Sequence, residues 1–160
     1  MSEWLKPNFK DPIHWLAFGF GSGLSPMAPG TVGTLAAVPF TWLLLQLSLG
    51  WYLLAIVICF VAGVWFCDKT AKDLGVHDYG GIVWDEFVGY FITMIAIAPT
   101  GLNLLVGFIF FRIFDIWKPW PISAVDKGVG GGFGIMIDDV IAGIYALVCM
   151  HSLVYAGWLN

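Results

Sequence analysis

The chemistry available to this chain lies in three short stretches that hold seven of its eleven acids. The first is His77-Asp78-Tyr79-Gly80-Gly81, followed by Trp84-Asp85-Glu86-Phe87-Val88-Gly89. The second runs from Arg112-Ile113-Phe114-Asp115 through Lys118 to Asp126-Lys127. The third is Gly134-Ile135-Met136-Ile137-Asp138-Asp139, followed by Ala142-Gly143. Carboxylates gathered together repel one another unless a cation sits among them, and oxygen donors with room for water suit magnesium. Asp85, Glu86, Asp115, Asp138 and Asp139 are therefore candidate ligands for Mg2+ and candidate bases for an attacking water. Arg112 and Asp115 lie three residues apart and share a helix face. Gly89 and Gly143 each fall one helical turn after an acid, Asp85 and Asp139, where a glycine lets a second helix come close beside the carboxylate. A plainer reading stands beside this one. Acids are favoured at helix starts by the macrodipole, and Asp85, Glu86, Asp138 and Asp139 all fit that description.

Two glycine-rich segments have the makings of an anion cradle. Gly19-Phe20-Gly21-Ser22-Gly23-Leu24-Ser25-Pro26 leads through Pro29-Gly30-Thr31 into an apolar run, where backbone N–H groups and a helix start favour negative charge. Ser22, Ser25 and Thr31 are its candidate phosphate-binding residues. Lys127-Gly128-Val129-Gly130-Gly131-Gly132 repeats the pattern before the last run. Neither matches a P-loop, and a simple loop with Thr31 or Thr34 as helix cap is the alternative. Covalent routes lack their signatures. The positions six after Cys59, Cys67 and Cys149 hold Trp65, Asp73 and Tyr155, not the arginine that a cysteine phosphatase needs. There is no Asp-x-Asp pair and no Asp-Gly-x-x-Ala-Arg start. Metal-assisted attack by water, or by a less obvious nucleophile, is what remains. The three cysteines have no ligand or disulfide spacing and read as reduced packing residues.

These residues must be positioned by an apolar scaffold. Of 160 residues, 59% are hydrophobic and 11% charged, against about 25% charged in ordinary soluble domains. That composition and a net charge of −4 exclude a typical soluble enzyme, a disordered chain and a nucleic-acid binder. The length suits one domain, an all-α integral membrane bundle of about five hydrophobic helices. The expected spans are Thr31–Leu49, Trp51–Cys67 after a tight turn at Gly50, Ile82–Ala98, Leu102–Trp117 and Val140–Leu159. The third and fourth are short for a bilayer core of about 30 Å. Ile13–Leu24 reads as an N-terminal interfacial or re-entrant helix; its glycines and prolines make a poor signal-peptide cleavage region. With five spans, every lysine, the single arginine and all the acids fall on one side. The positive-inside rule makes that side cytoplasmic, with the N-terminus inside and the C-terminus outside. Charges gathered at helix ends suit chemistry on a lipid headgroup and oppose a polar path across the bilayer.

From His14 to Gly143 the chain resembles the phosphatidylglycerophosphatase A family of bacterial membrane lipid phosphatases. The resemblance rests on Gly-Ser-Gly-Leu-Ser-Pro at 21–26, Pro-Gly-Thr at 29–31, His77-Asp78, Asp85-Glu86 and Arg112 through Pro121. It continues through Gly134-Ile135-Met136, Asp138-Asp139 and Ala142-Gly143. It implies a single lipid phosphatase domain over residues 1–160. The activity implied is magnesium-dependent hydrolysis of phosphatidylglycerophosphate to phosphatidylglycerol and phosphate, in phospholipid biosynthesis at the inner membrane. On that basis Arg112, Lys118 and Lys127 would offset phosphoryl charge, and His77 would protonate the leaving glycerol oxygen. Trp117 and Trp120 would wall the headgroup pocket, while His151 reads as structural. A phosphatase for another lipid phosphate, or a non-catalytic membrane scaffold or transporter, remains the alternative, and the oligomeric state is left open.

Overall fold

The computed structural model describes residues 6–77 and 79–160, so Asp78 of the first motif lies outside the described residues. These form α1 (Pro12–Ala17), α2 (Pro29–Leu44), α3 (Leu49–Leu74), α4 (Trp84–Thr93), α5 (Gly101–Trp117), α6 (Ile122–Gly128) and α7 (Gly131–Tyr155), with no strand among them. The all-helical reading therefore holds, and the five apolar runs correspond to α2, α3, α4, α5 and α7.

The boundaries differ from the hydropathy map in four places, each for a local reason. The α2–α3 connection is Leu45–Ser48, and Gly50 lies inside the first turn of α3 rather than in the turn. Helix α3 continues past Cys67, carrying Lys69 and Lys72, and stops at Gly75, whose φ of 66° supplies the left-handed C-terminal residue. The segment expected as a third span forms only the ten residues of α4 and then breaks, with Ala96 at φ 57°. At 1.5 Å per residue α4 rises about 15 Å, half of a bilayer core. Helix α7 begins at Gly131, well before Val140. Gly132 makes this possible, because a Cβ there would strike the Val64 carbonyl and Asp68 of α3. Asp138 and Asp139 consequently sit two turns inside α7, and the macrodipole reading fails for them; Asp85 and Glu86 do occupy the first turn of α4.

The N-terminal segment is also shorter than expected. Its α-helix ends at Ala17, because Gly19, Phe20 and Gly21 all take positive φ, and a 3-10 turn follows at Ser22–Leu24. Asp11 caps α1 by accepting from the Ile13 N–H at 2.9 Å. The helix is tied to α3 by Lys69, which pairs with Asp11 at 3.0 Å and Asp73 at 2.6 Å. His14 Nδ1 accepts from the Asn8 N–H, so its Nε2 carries the proton donated to Asp73.

Helices α3 and α7 are long and apolar enough to cross a membrane. Outward-facing large apolar residues form stripes, including Leu54, Ile58, Val61 and Trp65 on α3 and Leu102, Leu105, Ile109, Ile113 and Ile116 on α5. A stripe of that extent on a water-exposed surface would be an aggregation site; against lipid it is the expected exterior. The two ends of the bundle differ in kind. One holds the ends of α3 and α5 and the starts of α4 and α7, with the charged residues. The other is closed by neutral bonds: Tyr52 Oη donates to the Phe91 carbonyl at 2.6 Å, and Asn103 Nδ2 donates to the carbonyls of Ala98 and Asn160 at 2.9 and 2.8 Å. There the His151 ring meets the Ile95 carbonyl, in keeping with a structural role.

Helix α4 is the buried pillar. Trp84, Phe87, Val88, Tyr90 and Phe91 are all buried, and Trp84 stacks on Phe87 while its indole N–H donates to the Cys59 carbonyl. At its closest approach to α7 the pillar presents a glycine. A Cβ at Gly89 would meet the Phe111 ring and the Asp139 carbonyl, and one at Gly143 would meet the Gly89 carbonyl. The close approach inferred from the glycine spacing is thus realised between these two helices. Gly143→Val should lower the thermal midpoint by the equivalent of about 1–3 kcal/mol or more, as overpacking against backbone does. Gly50→Ala, with nothing within 4 Å of its Cβ, should leave it unchanged or raise it slightly. Thermal unfolding in detergent checks both.

Candidate active site

The glycine crossing brings the first turn of α4 against the second and third turns of α7. Asp85 and Glu86 from α4 and Asp139 from α7 each place one carboxylate oxygen within 4.8 Å of the others. Glu86 and Asp139 are buried, with 9% and 3% of their surface exposed. Asp85 Oδ1, Glu86 Oε2 and Asp139 Oδ2 are buried and have no hydrogen-bond partner among the described residues. Buried polar atoms are normally satisfied, so these acceptors, with the equally orphaned Asp138 Oδ1 on the same cavity, call for a donor or a cation.

The other two acids of the expected ligand set are differently placed. Asp115 is ion-paired to Arg112, whose guanidinium also lies 4.0 Å from Glu86 Oε1. Asp138 Oδ2 binds Lys118 Nζ at 2.8 Å, and the same ammonium binds Asp126 Oδ1 at 2.9 Å. Burial works against the charge on Lys118, but the Asp138 and Asp126 carboxylates outweigh it and hold its pKa above the ordinary lysine value. Of the five carboxylates, Asp115 and Asp138 each hold a cation at bonding distance, Glu86 has only Arg112 at 4.0 Å, and Asp85 and Asp139 pair with none. All five line a cavity of about 210 Å³ together with Lys118, Asp126 and His77. Even with Lys118 and Arg112 counted, this wall carries excess negative charge, and all its metal-capable donors are oxygen apart from the His77 ring. A hard divalent cation fits such a wall by charge and by donor type.

The remaining candidates lie further out. Ser22, Ser25, Thr31 and Lys127 do not line the cavity. The Ser22 hydroxyl donates to the Gly19 carbonyl and that of Ser25 to the Met27 carbonyl, both at 2.8 Å, so each serves its own loop. Lys127 is exposed near the end of α6. Thr31 sits in the first turn of α2, which does reach the site: a Cβ at Gly30 would meet Glu86 Oε1 and the Arg112 guanidinium. Neither threonine caps that helix. Its N-cap is Ala28 without a side-chain bond, and Thr34 Oγ1 donates back to the Gly30 carbonyl.

The second glycine segment is already engaged. The Gly131 N–H donates to His77 Nε2 at 2.9 Å and the Gly132 N–H to Asp68 Oδ1 at 3.1 Å. The start of α7 is therefore capped by side chains from α3 and the loop after it, which leaves these two N–H groups no free bond for phosphate. Because Nε2 accepts, the proton of neutral His77 resides on Nδ1. Asp68 and Asp126 are the contributors that sequence reasoning passed over. Asp68 has the i,i+4 spacing to Lys72 of an ordinary surface pair, which it also makes, at 2.6 Å. Asp126 meets Lys118 only because α6 folds back. Asp68→Ala should destabilise the protein by about 0.5–2 kcal/mol, the usual loss for a helix cap, whereas Asp68→Asn keeps the acceptor and should lose less. Denaturation midpoints of the two variants check the cap.

A model of the phosphatidylglycerophosphatase A family matches residues 15–154. A phosphatidylglycerophosphatase A of Escherichia coli (strain K12) is 53% identical over 144 residues, which span 89% of this chain and 84% of that protein. One from Haemophilus influenzae is 48% identical over 152 residues, 94% of this chain and 93% of that protein. A putative phosphatidylinositol-3-phosphatase of Bacteroides thetaiotaomicron is 38% identical over 151 residues, 89% of this chain and 92% of that protein. No solved structure matches the chain. With a family model covering nearly its whole length and two relatives of that name near half identity, the chain belongs to the phosphatidylglycerophosphatase A family.

Proposed function

We propose that the chain is a magnesium-dependent phosphoric monoester hydrolase that converts phosphatidylglycerophosphate to phosphatidylglycerol and inorganic phosphate in phospholipid biosynthesis. The observation that carries the metal and the site is the converging trio of Asp85, Glu86 and Asp139, each with a buried oxygen that lacks a hydrogen-bond partner, set beside Lys118 in one cavity. The family supplies the substrate class.

Asp85, Glu86 and Asp139 would hold the metal, since their oxygens converge and each has one without a hydrogen-bond partner. When bound, Mg2+ supplies charge neutralisation at the phosphoryl group and lowers the pKa of an attacking water. The rest is done by the chain's own side chains. Lys118, held in the cavity by Asp138 and Asp126, offers its ammonium to the phosphoryl oxygens. Arg112, steadied by Asp115, adds positive charge where Glu86 meets the start of α2. A carboxylate of the cluster takes the proton of the water and passes it to the leaving glycerol oxygen, toward which His77 donates a hydrogen bond from Nδ1. The glycine-walled crossing and the buried face of α4 keep bulk water from the rear of the site.

The site belongs at the cytoplasmic face of the bacterial inner membrane. The chain crosses five times, with α4 and the irregular stretch after it enclosed by protein, the condition under which such backbone survives at depth. In a cysteine-free background, Gly128→Cys should react with an impermeant maleimide only from the cytoplasmic side, and Gly157→Cys only from the other. Labelling at 128 from outside would overturn this orientation.

Phosphate release from a panel of lipid phosphates, with and without magnesium, tests the function. Phosphatidylglycerophosphate should be the best substrate, and chelation should abolish turnover. Asp85→Asn and Asp139→Asn should each lower kcat by at least a hundredfold and raise the magnesium requirement, while Asp11→Asn stays near wild type. Near-normal rates at low magnesium in both site variants would remove these residues from the mechanism. The name of the Bacteroides relative favours a second reading, hydrolysis of a phosphoinositide, and the same panel decides between them.

A further inference from the structure

Lys118 occupies a position that its own backbone disfavours. It ends α5 in the left-handed conformation, at φ 48°, where a glycine would be unstrained. Its side chain turns into the cavity and carries two ion pairs of unlike character. Asp138 is buried, its side chain 8% exposed, and belongs to the rigid α7. Asp126 is 34% exposed and belongs to α6, a seven-residue helix at the cavity rim. The phosphate of a substrate needs a donor from the same ammonium and brings its own negative charge toward both carboxylates. The buried Asp138 cannot exchange its partner for water without a large desolvation cost, whereas the exposed Asp126 can.

From this geometry we infer that Asp126 is a resident anion on Lys118, displaced when the lipid phosphate binds and returning to expel inorganic phosphate afterwards. The inference rests on the phosphatase reading and adds a residue to it. Asp126 touches neither the reacting bond nor the carboxylate trio. It sets how tightly a free phosphate dianion is held, so it governs product release rather than the hydrolytic step. Its consequence has a sign that a supporting role would not share. If Asp126 merely oriented Lys118, losing its charge would weaken phosphate binding. As a competitor, losing its charge strengthens it.

Product inhibition by inorganic phosphate, measured in mixed micelles with phosphatidylglycerophosphate and saturating magnesium, separates the two. Asp126→Asn should lower the inhibition constant for phosphate and the KM about three- to tenfold each, with kcat reduced because release is slower. Asp126→Glu, which restores the charge, should return both constants toward wild type, and Asp126→Ser should behave as the Asn variant does. A raised or unchanged inhibition constant in the Asn and Ser variants overturns the inference. If the wild-type chain itself releases no phosphate from this lipid, the phosphatase reading fails first; if it does and the variants do not differ from it, only the role of Asp126 fails.

Discussion

Helices α4 and α7 cross where neither has a side chain, and the carboxylate cluster depends on that contact. Backbone meets backbone at Gly89 and Gly143, with the Phe111 ring packed across the junction. One turn before each glycine stands an acid, so the approach that the glycines allow forces Asp85 and Asp139 together in a buried place. Two carboxylates would not choose such proximity, because each loses its hydration and gains the other's repulsion. Helix packing imposes it. The packing is extensive enough to do so, since nearly every residue of α4 is buried.

The remaining charges answer that imposed cluster in a graded way. Asp115 and Asp138 flank the trio, and each carries its own cation, Arg112 or Lys118. Within the trio only Glu86 has a cation in range, Arg112 at 4.0 Å, and each of the three has a buried, orphaned oxygen. A site organised like this is stable as protein at its edges and incomplete at its centre, which is the condition for holding an exchangeable cation. The caps on α7 contribute from outside. Asp68 and His77 bind the Gly132 and Gly131 N–H groups and so fix the axial position of the helix that presents Asp138 and Asp139.

Much of this was legible in the sequence because it is local. Acid-then-glycine at one-turn spacing predicts a close crossing, and Arg112 with Asp115 predicts a shared face; both depend only on helical periodicity. The one-sided distribution of charge along the chain likewise survives folding. What was not legible depends on distant partners. Hydropathy began the last helix at Val140 because Asp138 and Asp139 interrupt the apolar run, yet Gly132 packing on α3 carries the helix back to Gly131. The same blindness hid the end of α4: the run Ile82–Ala98 was already short for a span, but its length says nothing of the break after Thr93. The partition of the five acids was invisible as well, since residue type cannot tell a carboxylate with a cation from one without.

The helix lengths bear on the lipid around the protein. At 1.5 Å per residue, α2 and α5, of 16 and 17 residues, extend about 24 and 26 Å, while α3 and α7 exceed the usual core of about 30 Å. If the chain crosses five times as proposed, a bilayer around this bundle would face hydrophobic mismatch of opposite sign on different flanks. It would relax by tilting the long helices and thinning beside the short ones. The thinned flank would adjoin the ends of α2 and α5, where Gly30 and Arg112 border the carboxylate cluster. There the headgroup plane would dip toward the midplane and lower a passing lipid to the depth of the buried acids without its leaving the leaflet. On that arrangement membrane thickness would become a determinant of turnover, set by the number of residues in two helices that contribute few groups to the cluster.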